Sequence, residues 1–111
     1  MLMNDRFEIN DLLDAYGVLL TEKQQKIADL YYHEDCSYQE IADMEGISRA
    51  AVYDAIHKCR NELNRYESLL HHVSYAKKRE TLYEKIENMT QDETVLTLIE
   101  ELRNTETQEV I

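Results

Sequence analysis

The chain has 111 residues, with 23 Asp and Glu against 12 Lys and Arg, 43% apolar residues, two glycines and no proline. Sheets depend on tight turns that draw on Gly and Pro, so this composition predicts an all-α helical bundle and excludes a sandwich or barrel. The longest stretch without a charged side chain, Ser68 to Ala76, is nine residues, far short of the ~20 apolar residues of a membrane-spanning helix. The first residues, MLMNDRFEIND, lack a basic region followed by an apolar one, so no secretory signal is expected. Two cysteines, Cys36 and Cys59, are too few for a disulfide framework, and the expected setting is the reducing cytoplasm.

The apolar pattern predicts a first helix from about Asn4 to Leu20, with Phe7, Ile9, Leu12, Leu13, Tyr16, Leu19 and Leu20 on one stripe. Thr21-Glu22-Lys23-Gln24 is a capping box that opens a second helix to about Glu34, with Ile27, Leu30 and Tyr31 inward. A turn over His33 to Cys36 precedes a second capping box, Ser37-Tyr38-Gln39-Glu40. The short helix it opens turns Ile41 and Ala42 inward and stops at Gly46. Ser48 caps a fourth helix from Arg49. Its seam of Val52, Ile56, Cys59, Leu63, Tyr66, Leu70 and Val73 steps by four and three. A break is expected between Tyr66 and Ser74. The next helix carries Leu82, Tyr83, Ile86 and Met89. A third capping box, Thr90-Gln91-Asp92-Glu93, opens a last helix with Val95, Leu98, Ile99 and Leu102. The expected organisation is a helix-turn-helix domain over 1–66, C-terminal helices for interaction or dimerisation over 67–103, and a frayed tail over 104–111.

The third and fourth helices carry the functional signal. Ala42 allows a close helix crossing, Gly46 supplies the positive φ that ends one helix sharply, and Ile47 and Val52 wedge the second helix against the first. Ile41, Ala55 and Ile56 complete the apolar set, while Glu45 sits where an apolar residue is usual. A Ser48 cap leaves the positive end of the fourth helix open to a phosphate. The charge agrees: residues 1–48 hold three bases against eleven acids, 49–79 seven against three, and 80–111 two against nine. The nucleic-acid-binding candidates are therefore Arg49, Lys58 and Arg60 toward phosphate, Tyr53 and His57 against it, and Ser48 as the cap. Only Arg49 is a bidentate guanine donor. Asp54 is expected to face phosphate unfavourably or to pair with Lys58. This helix suits contacts to DNA backbone or structured RNA, where Tyr53 can stack on a base.

The run Ser37-Tyr38-Gln39-Glu40-Ile41-Ala42, followed by Gly46-Ile47-Ser48-Arg49-Ala50-Ala51-Val52-Tyr53-Asp54, resembles the YlxM-type helix-turn-helix proteins of Gram-positive bacteria. Those in turn resemble the fourth region of bacterial sigma factors. The resemblance covers about residues 4–90 and is most telling over Ala51-Val52-Tyr53-Asp54. It implies an all-helical fold, a nucleic-acid-binding role, and an accessory or regulatory part in the signal recognition particle pathway. Unlike a sigma factor, the chain shows no promoter-melting or polymerase-core-binding region, so it is not expected to initiate transcription alone. Asp54 stands where sigma-type helices often carry a base.

No enzyme is expected: there is no Gly-rich phosphate loop, no HExxH and no pair of catalytic carboxylates at telling positions. No cofactor and no metal are expected either, because His57 and Cys59, two apart on a helix, point to different sides. Two rival readings remain open. One is a protein-interaction module using the acidic faces of 1–48 and 80–111. The other is a dimeric DNA-binding transcription regulator. A homodimer through the helices after residue 66 is expected because their apolar seam exceeds what one small domain needs.

Overall fold

A computed structural model describes residues 6–106, with Arg6 and Phe7 by backbone alone. The expected start at Asn4, the Phe7 side chain and tail residues 107–111 lie outside the described residues. Six α-helices follow in order: α1 (Arg6–Tyr16), α2 (Glu22–Tyr32), α3 (Tyr38–Glu45), α4 (Arg49–Leu70), α5 (His72–Met89) and α6 (Glu93–Asn104). There is no strand among the described residues, so the fold is all-α. The chain divides into two compact units between His71 and His72.

In the first unit, α1 buries Ile9, Leu12, Leu13 and Tyr16. It stops at Tyr16 rather than Leu20, because Gly17 is a weak helix former and the chain tightens into a 3-10 turn over Gly17–Leu19. The change of period turns Leu19 outward, contrary to its expected place on the stripe, while Leu20 stays buried. Helix α2 opens on the expected capping box: Gln24 N–H donates to Thr21 Oγ1 at 3.1 Å and Thr21 N–H to Gln24 Oε1 at 3.0 Å. It ends at Tyr32, two residues before Glu34, and Asp35 enters the left-handed region at φ +60°.

The second box also forms: Glu40 N–H donates to Ser37 Oγ at 3.1 Å and Ser37 N–H to Glu40 Oε1 at 2.8 Å. Gly46 ends α3 at φ +68°. Helix α4 then packs against α1, α2 and α3. It buries Val52, Ile56, Cys59 and Leu63 at steps of four, three and four. The seam continues at Tyr66, whose ring lies 5.9 Å from that of Tyr16, while the Tyr16 hydroxyl donates to Glu67 Oε1 at 2.6 Å. These contacts hold Tyr66 and Glu67 in the first unit, so that unit runs beyond residue 66. The helix break falls at His71, a left-handed residue at φ +55°. Leu70, expected in the seam, is exposed.

The second unit is a hairpin of α5 and α6 with Tyr83 and Ile99 buried. Arg103 is held between two carboxylates: its Nη2 donates to Glu80 Oε2 and to Glu87 Oε1, both at 2.9 Å. Glu106 accepts from Arg79 Nε at 2.6 Å and from the Tyr83 hydroxyl at 2.7 Å. Glu106 is therefore tied down within the stretch expected to fray. The third capping box does not form. Asp92 caps α6 instead, accepting from Thr94 and Val95 N–H, and Thr90 Oγ1 accepts from Asp92 N–H. A carboxylate both satisfies those amides and complements the positive helix end, which a hydroxyl does less well.

Candidate nucleic-acid interface

The helix-turn-helix is α3, the Gly46 turn and α4. Glu45, at the position where an apolar side chain is usual, remains only 14% exposed because Lys26 Nζ approaches its carboxylate at 3.3 Å. An ion pair with the exposed Lys26 thus stands at the edge of a seam where apolar packing is usual. Ser48 caps α4 by accepting from Ala51 N–H at 3.0 Å. In α2 and α3 the third helical residue, Gln24 or Glu40, reaches back to the cap. In α4 that residue is Ala51, which has no polar side chain. Ser48, Arg49 and Ala50 are all exposed, so the leading turn of α4 presents its positive end with Arg49 beside it.

The structure does not gather all six candidate residues into one patch. Arg49, Tyr53, His57 and Arg60 follow one flank of α4 at steps of four, four and three. Lys58 lies on the other flank, in a groove of about 360 Å³ lined also by Thr21, Lys23, Gln24, Asp54 and Ala55. Arg60 is half-buried: its Nη2 donates to the Tyr32 hydroxyl at 3.2 Å and its Nε is enclosed. Its guanidinium is directed into the fold more than Arg49, which stands at the exposed tip. The other bases of 49–79 are split between the units, and Arg79 is engaged by Glu106.

Tyr53 does not stand alone. Its ring is 4.3 Å from that of His57 and 5.7 Å, edge-on, from that of Tyr38. Tyr38 in turn stacks on Tyr31 at 5.2 Å with 26° between the planes. Rings from α2, α3 and α4 therefore form one continuous row along one flank of α4, with Tyr53, 47% exposed, between Tyr38 and His57. Partial desolvation pushes the Tyr38 hydroxyl above its ordinary range, and Tyr31 adds to the shift. Sequence reasoning placed Tyr31 among inward residues and Tyr38 within a cap, and so missed the row. The available signal was compositional: eight tyrosines against one Phe and no Trp.

Cys59 is buried with Sγ 3.5 Å from the Gln24 carbonyl, and burial pushes its thiol up to about 11. Among the described residues no three His, Cys, Asp or Glu side chains are placed to hold a metal ion.

Comparison with known proteins matches residues 3–104 to the UPF0122 family, described as "Putative helix-turn-helix protein, YlxM / p13 like". The chain belongs to the UPF0122 family. A UPF0122 protein of Clostridium perfringens is 41% identical over 104 residues, covering 89% of this chain and 93% of that protein. One from Oceanobacillus iheyensis is 39% identical over 103 residues, covering 93% and 98%. One from Clostridium kluyveri reaches 50% over 68 residues, 61% of each chain. UPF0122 is a helix-turn-helix family, and its description names no catalytic activity. No helix among the described residues is long and apolar enough to cross a membrane.

Proposed function

We propose that this UPF0122 protein binds nucleic acid through the leading turns of α4, contacting structured RNA or DNA backbone as an accessory of a larger assembly in the cytoplasm. The observation that carries this reading is the bare, positively polarised tip of α4, with Arg49 at its edge and the Tyr31–Tyr38–Tyr53–His57 row alongside. Arg49 and the first-turn amides meet phosphate, Ser48 holds the tip open as its cap, and Tyr53 and His57 offer ring faces to a base or sugar. Lys58 and Arg60 contribute positive potential from the two flanks. With one guanidinium at the tip and Asp54 also exposed, base-edge readout is poor, and shape and backbone dominate. The reading includes a part in the signal recognition particle pathway, which the YlxM resemblance implies, and a homodimer through the C-terminal helices.

The test is fluorescence anisotropy with a labelled RNA hairpin and a labelled DNA duplex across a salt series. Binding weakens linearly in log–log form, by ~0.9 per duplex phosphate neutralised. Arg49→Glu lowers affinity by on the order of tenfold or more for every sequence. Tyr53→Ala weakens the hairpin with its unpaired loop more than the duplex. Wild-type affinity in the Arg49→Glu, Tyr53→Ala double variant refutes the reading. The surplus of acids over residues 1–48 then favours a basic protein partner instead.

A further inference from the structure

The α5–α6 hairpin leaves a second face uncovered. On α5, Tyr75, Leu82, Ile86 and Met89 fall on one stripe at steps of seven, four and three, the spacing of a coiled-coil seam. All four are exposed, Leu82 at 54%, Ile86 at 40% and Met89 at 83%. The stripe lies roughly a quarter turn from buried Tyr83, which faces α6. On α6, Leu98 and Leu102 are also exposed, rotated in the same sense from buried Ile99. In an antiparallel hairpin, rotations of one sense bring both stripes to the same side, so the six side chains share one face.

We propose that a second copy of this chain covers that face, so that two hairpins form a four-helix bundle with α5 of each chain over α6 of the other. This specifies the surface of the homodimer included in the reading above. Within one hairpin only Tyr83 and Ile99 are buried among the described residues, too small a core to order two helices by itself. An apolar face of this extent on a small protein marks an interaction site. Charge selects both the occupant and its orientation. The edge of α5 away from α6 carries Lys78 and Lys85, and the far edge of α6 carries Glu101 beside a notch lined by Glu93, Thr97 and Leu98. A two-fold axis parallel to the helices lays the basic edge over the acidic edge twice. The alternative, α5 upon α5, sets lysine against lysine. The Arg79–Glu106 and Arg103–Glu80 bonds fix the hairpin register and bring Lys85 and Glu101 to the same height on opposite edges. Across the interface Lys85 therefore pairs with the partner's Glu101.

The test is sedimentation equilibrium of the full chain. Wild type is expected at twice the 13.2 kDa chain mass. Leu82→Glu with Ile86→Glu raises the dimer Kd by on the order of 100-fold or more, since two buried charges meet an apolar face in each chain, while far-UV circular dichroism stays helical. Exposed positions 85 and 101 supply variants that leave the fold alone. Lys85→Glu or Glu101→Lys weakens the dimer by roughly three- to tenfold, the range for two exposed ion pairs, and the double swap restores it. Unchanged dimerisation in the Leu82→Glu, Ile86→Glu protein overturns the face while leaving a homodimer standing. A swap that fails to restore affinity overturns the α5-over-α6 arrangement. A wild type that is monomeric at tens of micromolar overturns the homodimer itself, and the nucleic-acid reading is decided separately by Arg49→Glu.

Discussion

Replacing Gly46 by Ala separates backbone strain from packing at the helix-turn-helix elbow. Gly46 sits at φ +68°, and a Cβ built there meets no atom within 4 Å. The substitution therefore introduces no clash and removes no contact, and what remains is the left-handed conformation itself. For an L-residue that conformation costs roughly 1–2 kcal/mol. The expected loss is about 1–2 kcal/mol, which in a domain of 60–100 residues lowers Tm by roughly 4–8 °C per kcal/mol. Gly46→Asn is expected to lose less, because Asn visits the left-handed region more readily. Urea denaturation followed by circular dichroism measures both, with an unchanged slope indicating that only stability has moved. If Gly46→Ala equals wild type, the elbow is not held left-handed. If the loss exceeds ~3 kcal/mol, or Asn is worse than Ala, strain alone is not the cause.

Three further outcomes follow from the packing and the charges. Leu63 is fully buried in the α4 seam, so Leu63→Ala is expected to destabilise the first unit by ~2–5 kcal/mol, and a loss below ~1 kcal/mol in the same urea assay contradicts that placement. At pH 8, Ellman's reagent should modify half-buried Cys36 slowly and reach Cys59, raised to about 11, only on unfolding; two reactive thiols in the folded protein would show that the α4 seam is open. In the second unit, hydrogen bonds from Arg103 hold Glu87 below the usual carboxylate range, and those from Arg79 and Tyr83 do the same for Glu106. Their pairing stabilises the hairpin fully above the unfolded carboxylate value of ~4.3 and is lost as pH falls through the depressed folded values. Arg103→Gln should flatten that acid-induced loss of helicity, and a titration superimposable on wild type argues against the pairing.

The helix-turn-helix was legible because its determinants are local. Two capping boxes, the Ser48 cap and Gly46 act within four residues of themselves, and all four form as the pattern implies. The third box shows where local reasoning strays: Thr90 accepts from Asp92 N–H just ahead of the helix, and Asp92, two residues on, caps α6 through Thr94 and Val95 N–H. Likewise the three-four seam of α4 is accurate from Val52 to Leu63, where other helices cover it, and fails at Leu70, which has no such cover in the chain's own fold.

Composition and local pattern were sufficient for an all-α chain, for α3 and α4 and their elbow, and for an exposed Arg49. These depend on hydrogen bonds, dihedral preferences and periodicity that each segment satisfies by itself. Tertiary packing alone decided which side chains share a surface. It turned Arg60 toward Tyr32, set Lys58 on the opposite flank, joined Tyr31 and Tyr38 to Tyr53, and drew Glu106 onto Arg79. Tyr31 and Tyr38 sit on different helices, and the other pairs lie 15 to 28 residues apart along the chain, so side-chain identity carries no mutual signal until the backbone brings them together.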